Sequence, residues 1–453
     1  MQRAVVMGGS YAGLLAARVL SDHAEEVVVV EPDVIGDDGL GKRTPQRRQL
    51  HALLSMGHRR LEHWFPGLTD ELVRDGARLG EGDDVRFYVD GRLKAPVAAS
   101  RMLGATRPFL EDRVRRRVAL LPQVRFVRAE VTGLVLRGGH VAGVTTAAPA
   151  HDDGAPHDGV PHETADEIPA EIPADFVVDA TGRSSRLGDW LTRHGWDAAP
   201  VDRMRIDLGY ATASFRRGGE LGTTVVAHST PGPASGYRPE VTEPGALAAV
   251  EGDRWSVVLA GYAGHRPGPD PEEFLRRMRR CVAPIRTVAE ESAMIGPVTT
   301  YRFVESRRRV HTRLRRFPGG LVVVGDALAS VNPVYGQGLT LAALEADALA
   351  AYLRTGPRPH APALPYFRRA EMAVDAAWQL STAADLAQPH VTGPYPRGYR
   401  AQKWVADRLT EASVIDSGVN AAYLRVVHME APPKALTDPR LLARAARVLI
   451  RRR

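Results

Sequence analysis

The chain has 453 residues, of which 44% are hydrophobic, and its formal net charge is +7. This length and apolar content exclude a disordered chain and predict a sizeable hydrophobic core. The single cysteine, Cys281, excludes an internal disulfide and a cysteine-based metal cluster, and we interpret it as a buried apolar residue of a cytoplasmic protein.

Arginine carries the positive charge, since only four of the 60 basic residues are lysine. Arginine runs would suit nucleic acid or anionic lipid, but no nucleic-acid-binding motif accompanies them, so we predict solvated faces and no such partner. The apolar first twenty residues continue into a second apolar strand, unlike a cleavable signal peptide, and no apolar run reaches the roughly 18 residues of a membrane span. A soluble protein is predicted.

The N-terminus predicts a βαβ unit. Arg3–Gly8 is a short β-rich run, and residues 11–20 form an Ala- and Leu-rich helical segment. Val27–Glu31, which reads VVVVE, is predicted as a fully buried strand of the kind that a parallel sheet requires. A second apolar strand so soon after a helix is typical of a nucleotide-binding fold.

The turn between the first strand and the helix reads GGSYAG. Gly8, Ser10 and Gly13 occupy the three positions where a dinucleotide fingerprint has glycine, and Gly9 is an additional glycine. Backbone amides there can receive a pyrophosphate at the helix N-terminus, and the small Ser10 hydroxyl could bond a phosphate. Glu31, near the expected spacing, can accept hydrogen bonds from a ribose. The alternative is a glycine-rich turn with a surface glutamate.

The middle of the chain predicts mainly strands. Residues 84–97 read as a hairpin that turns at Asp90-Gly91, a charged helix spans about Phe109–Leu121, and short strands follow. From about 205 to 303 the pattern indicates a separate antiparallel sheet. Its aromatic residues face either a substrate pocket or the core, and we predict the core for each: Tyr210, Phe215, Trp255 and Tyr262.

Residues 147–174 are rich in alanine, proline, histidine and acid. His151, His157 and His162 could be interpreted as a metal cluster, but nothing in their spacing predicts a rigid element that would set ligand geometry. We therefore predict a flexible loop and no metal site.

A second glycine-bearing turn follows a buried strand over Gly319–Asp326. Asp326 stands at the carboxyl end of that strand, where open α/β sheets bind ligands, and can hold a polyol such as the ribityl chain of a flavin. A Pro turn at Asn332-Pro333 then leads through glycines into a long helix over 338–353, whose positive end favours an electron-rich ring. The pattern points to FAD rather than NAD, the alternative being a tight strand–helix connection with incidental glycines.

The cofactor-type segments lie on both sides of the antiparallel segment. We predict an α/β fold in which a Rossmann-like FAD-binding domain is interrupted by an antiparallel-sheet substrate domain and followed by C-terminal helices. The predicted FAD-binding domain comprises residues 1–83, 101–186 and 305–360. The predicted substrate domain comprises residues 84–100 and 187–304, and the C-terminal helical region comprises residues 361–453.

The motifs resemble those of the class A flavin monooxygenases, the para-hydroxybenzoate hydroxylase fold group. GGSYAG, VVVVEPD, TPQRRQLHALL, RPFLEDRVRRRV, VVDATGRSSR and GDALASVNPVYGQGL are similar to its polyketide-associated branch, which includes polyether epoxidases of the lasalocid and monensin type. The similarity covers nearly the whole chain.

The resemblance implies a set of FAD contacts. The N-terminal turn would hold the pyrophosphate, Val131 would meet the adenine through its backbone, and the second turn would line the isoalloxazine. The full set that the resemblance implies is Gly8, Gly9, Ser10, Gly13, Glu31, Gln46, Arg48, His51, Arg107, Arg115, Val131, Asp179, Gly325, Asp326, Pro333, Gly336, Gln337, Gly338 and Leu339. A lone loop histidine such as His51 is more often structural than catalytic, so no catalytic residue is assigned.

One departure from the family concerns an Asp-Gly motif that is followed by a basic residue. Here Asp179 and Gly182 are separated by two residues, although the arginines after them are kept. The family uses this stretch to handle FAD and NAD(P)H, so the departure bears on how the flavin is reduced.

The resemblance implies a monooxygenase that hydroxylates or epoxidises a small organic, natural-product or polyketide substrate through a flavin C4a-hydroperoxide. The implied partners are O2 and either NAD(P)H or a flavin reductase. Three alternatives stay open. These are an FAD-containing cyclase without net redox, a flavin-dependent halogenase, whose usual WxWxIP segment is missing, and a redox sensor or scaffold. The choice between NADH and NADPH and the oligomeric state are not predicted.

Overall fold

The computed structural model describes residues 1–33, 44–98, 101–149, 162–163, 169–232, 243–358 and 360–451. The strands in these residues are β1 (Arg3–Met7), β2 (Glu26–Val30), β3 (Arg78–Glu81), β4 (Val85–Val89), β5 (Arg92–Leu93), β6 (Arg101–Gly104), β7 (Val124–Val127), β8 (Glu130–Arg137), β9 (His140–Ala147), β10 (His162–Glu163), β11 (Glu171–Pro173), β12 (Phe176–Asp179), β13 (Val201–Arg216), β14 (Val226–Thr230), β15 (Gly245–Val250), β16 (Arg254–Tyr262), β17 (Met294–Arg309), β18 (Leu321–Val323) and β19 (Ala329–Ser330). The α-helices are α1 (Tyr11–Leu20), α2 (Ser55–Trp64), α3 (Leu68–Arg74), α4 (Arg107–Ala119), α5 (Leu187–Arg193), α6 (Pro271–Met278), α7 (Ala283–Glu291), α8 (Gly338–Leu353), α9 (Leu364–Asp385), α10 (Tyr399–Ser413), α11 (Ser417–Val427) and α12 (Pro439–Ile450).

A parallel sheet of six strands forms the first layer, in the order β10-β7-β2-β1-β12-β18. Its central strands are apolar without interruption because helices and other elements cover both faces. Val5, Val28, Val178 and Val322 are fully buried in one core with α1, α4 and α8. This is the predicted Rossmann-like α/β fold.

A second sheet of eight strands runs in the order β19-β17-β13-β16-β15-β14-β4-β5, and every pair except β14 with β4 is antiparallel. The hairpin β4–β5 turns at Asp90 and Gly91, which have φ angles of +49° and +73°. Such left-handed pairs match the twist of two antiparallel strands. The predicted separate antiparallel sheet and its hairpin are confirmed.

The C-terminal helices divide between two environments. α9 packs against α8 and buries Tyr366, Phe367 and Val374 in the first core. The helices α10, α11 and α12 pack on one another around a smaller cluster that includes Leu409 and Val419. The predicted domain boundary at residue 360 therefore stays a prediction. Within the described residues, no helix is long and apolar enough to cross a membrane.

The segment predicted as a loop over 147–174 is described only in part. His151 and His157 lie outside the described residues, and of His162 the structure gives only its place in β10. Glu171–Pro173 forms strand β11 rather than loop, because Ile172 is buried and the strand pairs with β9. Cys281 is a buried free thiol.

Candidate functional site

One cavity of about 2100 Å³ lies between the two sheets and the C-terminal helices. Its wall includes Gly8 and Glu31 from the N-terminal βαβ unit and Asp326 and Gly336 from the second glycine-bearing turn. The two turns, far apart in the sequence, therefore line the same space, which the sequence pattern predicts for a single ligand that touches both.

The first turn is built on close backbone contact that only glycine permits. Gly8 has a φ of +104°, and its N–H donates to the Val30 carbonyl at 2.8 Å. A Cβ atom on Gly13 would stand 1.9 Å from the Gly8 carbonyl oxygen, so α1 meets the end of β1 with no room for a side chain. The Gly9 N–H donates to Glu31 Oε2 at 2.7 Å.

A buried carboxylate, Glu111 of α4, ties this turn to the rest of the site. It accepts hydrogen bonds from Ser10 Oγ at 2.9 Å, Arg47 Nε at 2.7 Å and Arg107 Nε at 2.8 Å. Burial by itself raises the pKa of Glu111, but the Arg107 and Arg47 guanidiniums outweigh burial and hold the pKa well below its usual range. Glu111 therefore stays ionised and fixes both arginines beside the N-terminus of α1.

Sequence reasoning missed Arg47 and selected its neighbour Arg48. Arg47 is only 2% exposed and pairs with both Glu111 and Asp33, whereas Arg48 is exposed and does not line the cavity. The two arginines are adjacent in a short 3-10 turn, so no local pattern separates them. The identity of the inward arginine follows from where the buried carboxylates lie.

His51 lines the cavity beside Arg107. Its Nδ1 is 2.8 Å from the Gln49 carbonyl oxygen, which can only accept, so Nδ1 carries the proton. Its Nε2 is 3.2 Å from Arg107 Nη1 and therefore accepts from that guanidinium. Burial and the charge of Arg107 lower the pKa of His51 to about 3, so the ring is neutral and its lone pair is engaged. His51 orients Arg107 in this structure and presents no free base.

The second turn brings two acids to the end of β18, the buried Glu345 and the half-buried Asp326. Gly325 has a φ of +63°, and its N–H donates to Glu345 of α8. Asp326 lines the cavity; burial raises its pKa, although Arg107 and Arg183 act in the opposite direction. Arg183, which sequence reasoning did not select, donates from Nη1 to Ser330 Oγ at 2.8 Å. At the carboxyl end of β18, the Asp326 carboxyl therefore lies within electrostatic range of the Arg107 and Arg183 guanidiniums.

Glu345 is expected to contribute a loss of stability as pH rises from about 5 to 8. Burial raises the pKa of this carboxyl from 4.5 to about 8, so between these values the folded state binds a proton that the unfolded state has lost. Each pH unit in this window removes at most about 1.4 kcal/mol of unfolding free energy. Urea unfolding of the unaltered protein and of Glu345→Gln across this range measures the difference in slope, because the variant cannot ionise here and is expected to lack this contribution. An equal slope in the variant would contradict the assignment.

The turn after Asp326 is held from the far end of α9. Asn332 donates from Nδ2 to the Tyr262 hydroxyl at 2.8 Å and to Asp385 Oδ1 at 2.6 Å, and its Oδ1 accepts from the Val334 N–H at 3.0 Å. Burial raises the pKa of Asp385 to about 7. These bonds set the path of the chain into α8, whose first amides carry partial positive charge towards the cavity.

Thirteen of the nineteen residues that the resemblance implies line the cavity. They are Gly8, Ser10, Glu31, Gln46, His51, Arg107, Val131, Gly325, Asp326, Pro333, Gly336, Gly338 and Leu339. The cavity wall does not include the other six, which are Gly9, Gly13, Arg48, Arg115, Asp179 and Gln337. Most of these support the wall from behind: Arg115 donates to the Gly9 carbonyl at 2.8 Å, and the Asp179 carboxylate accepts from Thr181 and Ser185.

The residues of this cavity fit FAD. The amides at the α1 N-terminus, with glycines that leave the backbone bare, suit a pyrophosphate, and the Arg107 guanidinium adds positive charge. The carboxylates of Glu31 and Asp326 can accept hydrogen bonds from ribose and ribityl hydroxyls. The α8 N-terminus would favour negative charge on a reduced ring.

The other part of the cavity faces the eight-stranded sheet. Tyr210 and Tyr262, predicted as core residues, are buried but line this space, whereas Phe215 and Trp255 lie in the sheet's own core as predicted. Around the two tyrosines the wall is largely apolar, with Val258 and Ala260 among its members. A substrate-sized apolar space therefore adjoins the space that fits FAD.

Comparisons with known proteins agree with this geometry. Residues 67–361 match the family model described as an FAD binding domain. Protein Rv3254 of Mycobacterium tuberculosis (strain ATCC 25618 / H37Rv) is 32% identical in an alignment that covers 93% of this chain and 88% of the relative.

Two solved structures show the same fold at low identity. The p-nitrophenol 4-monooxygenase PnpA from Pseudomonas putida DLL-E4 is 18% identical, with a TM-score of 0.62 over 98% of this chain and 99% of that one. The Diels-Alderase PyrE3 of the biosynthetic pathway of pyrroindomycins is 19% identical, with a TM-score of 0.58 over 94% of this chain and 80% of that one. At these identities the likeness concerns the fold alone.

Proposed function

Because this chain belongs to the FAD binding domain family, we propose that it is a monooxygenase that hydroxylates or epoxidises a small organic substrate. As a member of that family it is an FAD-dependent oxidoreductase enzyme. The observation that carries the finer proposal is that the turns that fit FAD and an apolar wall of the second sheet line the same cavity. Because the cofactor and an apolar substrate would share one cavity, they can react directly, and no mobile carrier is needed between two separate sites.

When bound, FAD supplies the activation of O2 for transfer of one oxygen atom. The chain's own residues would bind and orient the cofactor and shield the reacting atoms from water. Arg107 and the α1 amides bind negative charge, and the Asn332–Asp385 bond holds the turn beside α8. The apolar wall keeps water away from the reacting atoms, which limits wasteful release of hydrogen peroxide.

The proposal includes a natural-product or polyketide-like substrate and NAD(P)H, or a separate flavin reductase, as the source of electrons in the cytoplasm. The largely apolar wall and the motif resemblance to the polyketide-associated branch support the substrate class. The likeness in fold to PyrE3, whose name places it in a biosynthetic pathway, is in keeping with it. Such a reductant would act on a flavin held beside Asp326 and Arg183. Arg183 belongs to the stretch where this chain departs from the family pattern.

Absorbance and oxygen uptake of the purified protein test this proposal. We expect bound flavin at close to one per chain and oxygen consumption with NADH or NADPH that rises in the presence of aromatic or alkenyl test compounds. Under ¹⁸O2, the product is expected to gain one labelled oxygen atom. Product formation without oxygen or reductant would indicate a cyclase instead, a halide requirement would indicate a halogenase, and a protein that takes up no flavin would contradict both the proposal and the site.

A further inference from the structure

A lysine stands at the edge of the substrate wall. The Lys94 N–H donates to the Phe87 carbonyl at 2.9 Å, which continues the β4–β5 register by one residue. The register across the sheet then pairs Phe87 with His228, His228 with Ala246, and Ala246 with Val258. All five residues line the cavity, so Lys94 ends a row of cavity-facing side chains.

The charge of Lys94 is buried without a carboxylate beside it. The residue is 8% exposed, and among the described residues no Asp or Glu pairs with it. Its Nζ lies 3.7 Å from the centroid of the Tyr423 ring, which compensates only part of a buried charge. Burial lowers the pKa of the Lys94 ammonium to about 7, and burial with the charge of Lys94 lowers the pKa of His228 to about 4.

Two other cations, one buried and one lining the cavity, are matched by acids. Arg47 is more deeply buried and contacts both Asp33 and Glu111. Lys403, which also lines the cavity, pairs with Asp407 at 2.7 Å and is more exposed. A buried cation without a protein acid is costly, and an anionic group of a ligand would remove that cost.

We propose that Lys94 binds an acidic oxygen, such as a carboxylate, at one end of an elongated apolar substrate. The row from Lys94 to Val258 crosses four strand spacings, or about 19 Å at about 4.8 Å each. Val258 is followed on the same face by Ala260, whose partner Tyr210 lies within electrostatic range of Asp326. The acid would thus lie at the end of the substrate that is farther from the flavin-fitting turn, and Lys94 would determine which end of the substrate faces that turn.

This inference rests on the proposed function, because it assigns the apolar part of the cavity to the substrate. It is tested by binding alone, with no reductant present. Dodecanoate and 1-dodecanol serve as probes, since they share an apolar chain and differ in the charged end. Isothermal titration calorimetry of the flavin-loaded protein at pH 6 measures both affinities.

We expect dodecanoate to bind about tenfold more tightly than dodecanol, as one charge-assisted contact is worth about that factor. Lys94→Met and Lys94→Gln are expected to remove this preference, and Lys94→Arg to retain it. Both neutral variants are expected to fold, because they relieve an uncompensated charge, and thermal unfolding checks this. Lys403→Met is the matched control and is expected to keep the preference, since that ammonium is already paired.

Equal affinity of the two probes in the unaltered protein, no binding of dodecanoate, or a preference that persists in Lys94→Met would overturn the proposal. Loss of oxygenase activity in the test above, with the acid preference intact, would overturn the proposed function and leave the anion site standing. Oxygenase activity without the acid preference would overturn the anion site and leave the proposed function standing. The two failures are therefore distinguishable.

Discussion

Replacing Gly13 with alanine is expected to yield a protein that retains little or no FAD after purification. The added Cβ would stand 1.9 Å from the oxygen and 3.0 Å from the carbon of the Gly8 carbonyl, both of which are backbone atoms that cannot rotate away. The N-terminus of α1 must then move off the end of β1, and the amides that suit a pyrophosphate move with it. The ratio of flavin to protein absorbance measures the loss.

The same substitution is expected to lower the unfolding free energy by about 1–3 kcal/mol or more, the usual cost of overpacking. Gly188→Ala is the matched control, because Gly188 is also near the start of a helix but its Cβ would lie 3.5 Å from Ala198 Cβ, an ordinary contact. The control is expected to keep both flavin and stability. A Gly13→Ala protein with a full complement of flavin would show that the turn does not hold the cofactor.

Removing the charge of Glu111 is expected to destabilise the fold strongly. Glu111→Gln leaves Arg47, whose side chain is 1% exposed, with a single ion pair, the longer one of 3.5 Å to Asp33. Breaking a buried ion pair from one side costs about 3–5 kcal/mol, because the remaining charge stays desolvated. Urea unfolding measures the change. Flavin affinity is expected to fall as well, since Arg107 loses the carboxylate that orients it.

Glu71→Gln is the control for Glu111→Gln, as it removes the same charge from a part-exposed pair with Arg117. Surface pairs of this kind contribute about 0–1 kcal/mol. The Glu111 cluster is Glu111 with the residues that donate to it, Ser10, Arg47 and Arg107. If the two substitutions lowered the unfolding free energy by similar amounts, this cluster would contribute no more than an ordinary surface ion pair. If flavin affinity alone fell in Glu111→Gln, the cluster would serve the ligand and not the fold.

The Glu111 cluster also explains the departure at Ser10 from the glycine fingerprint. The sequence predicts that the Ser10 hydroxyl could bond a phosphate. In the structure, Ser10 Oγ donates to Glu111 and accepts from Arg107 Nη2 at 3.2 Å. The serine therefore links the turn to a buried ion network, which a glycine at this position could not do.

The elements around the two glycine-bearing turns could be predicted from the sequence, because their signals are local. The apolar run of β2 predicts a strand buried on both faces, and the helix predicted over 338–353 is α8 to the residue. Gly8, Gly13 and Gly325 stand where the backbone needs left-handed angles or close approach. The left-handed angles of Gly8 and Gly325 and the contact of Gly13 with Gly8 are local, so glycine at these positions can be predicted without the fold.

Only the tertiary structure decided which charges are buried and what they meet. Asp385 reaches the second turn from α9, Glu345 reaches Gly325 from α8, and the inward arginine is Arg47 rather than Arg48. Lys94 directly follows the β4–β5 hairpin in a polar stretch of sequence. It becomes a buried cation only because α11 and β14 cover it. Burial and ion pairing depend on which elements pack together, and these elements come from separate parts of the chain. The sequence by itself therefore determined the glycine-bearing turns that fit the cofactor, while tertiary packing determined the electrostatics of the site.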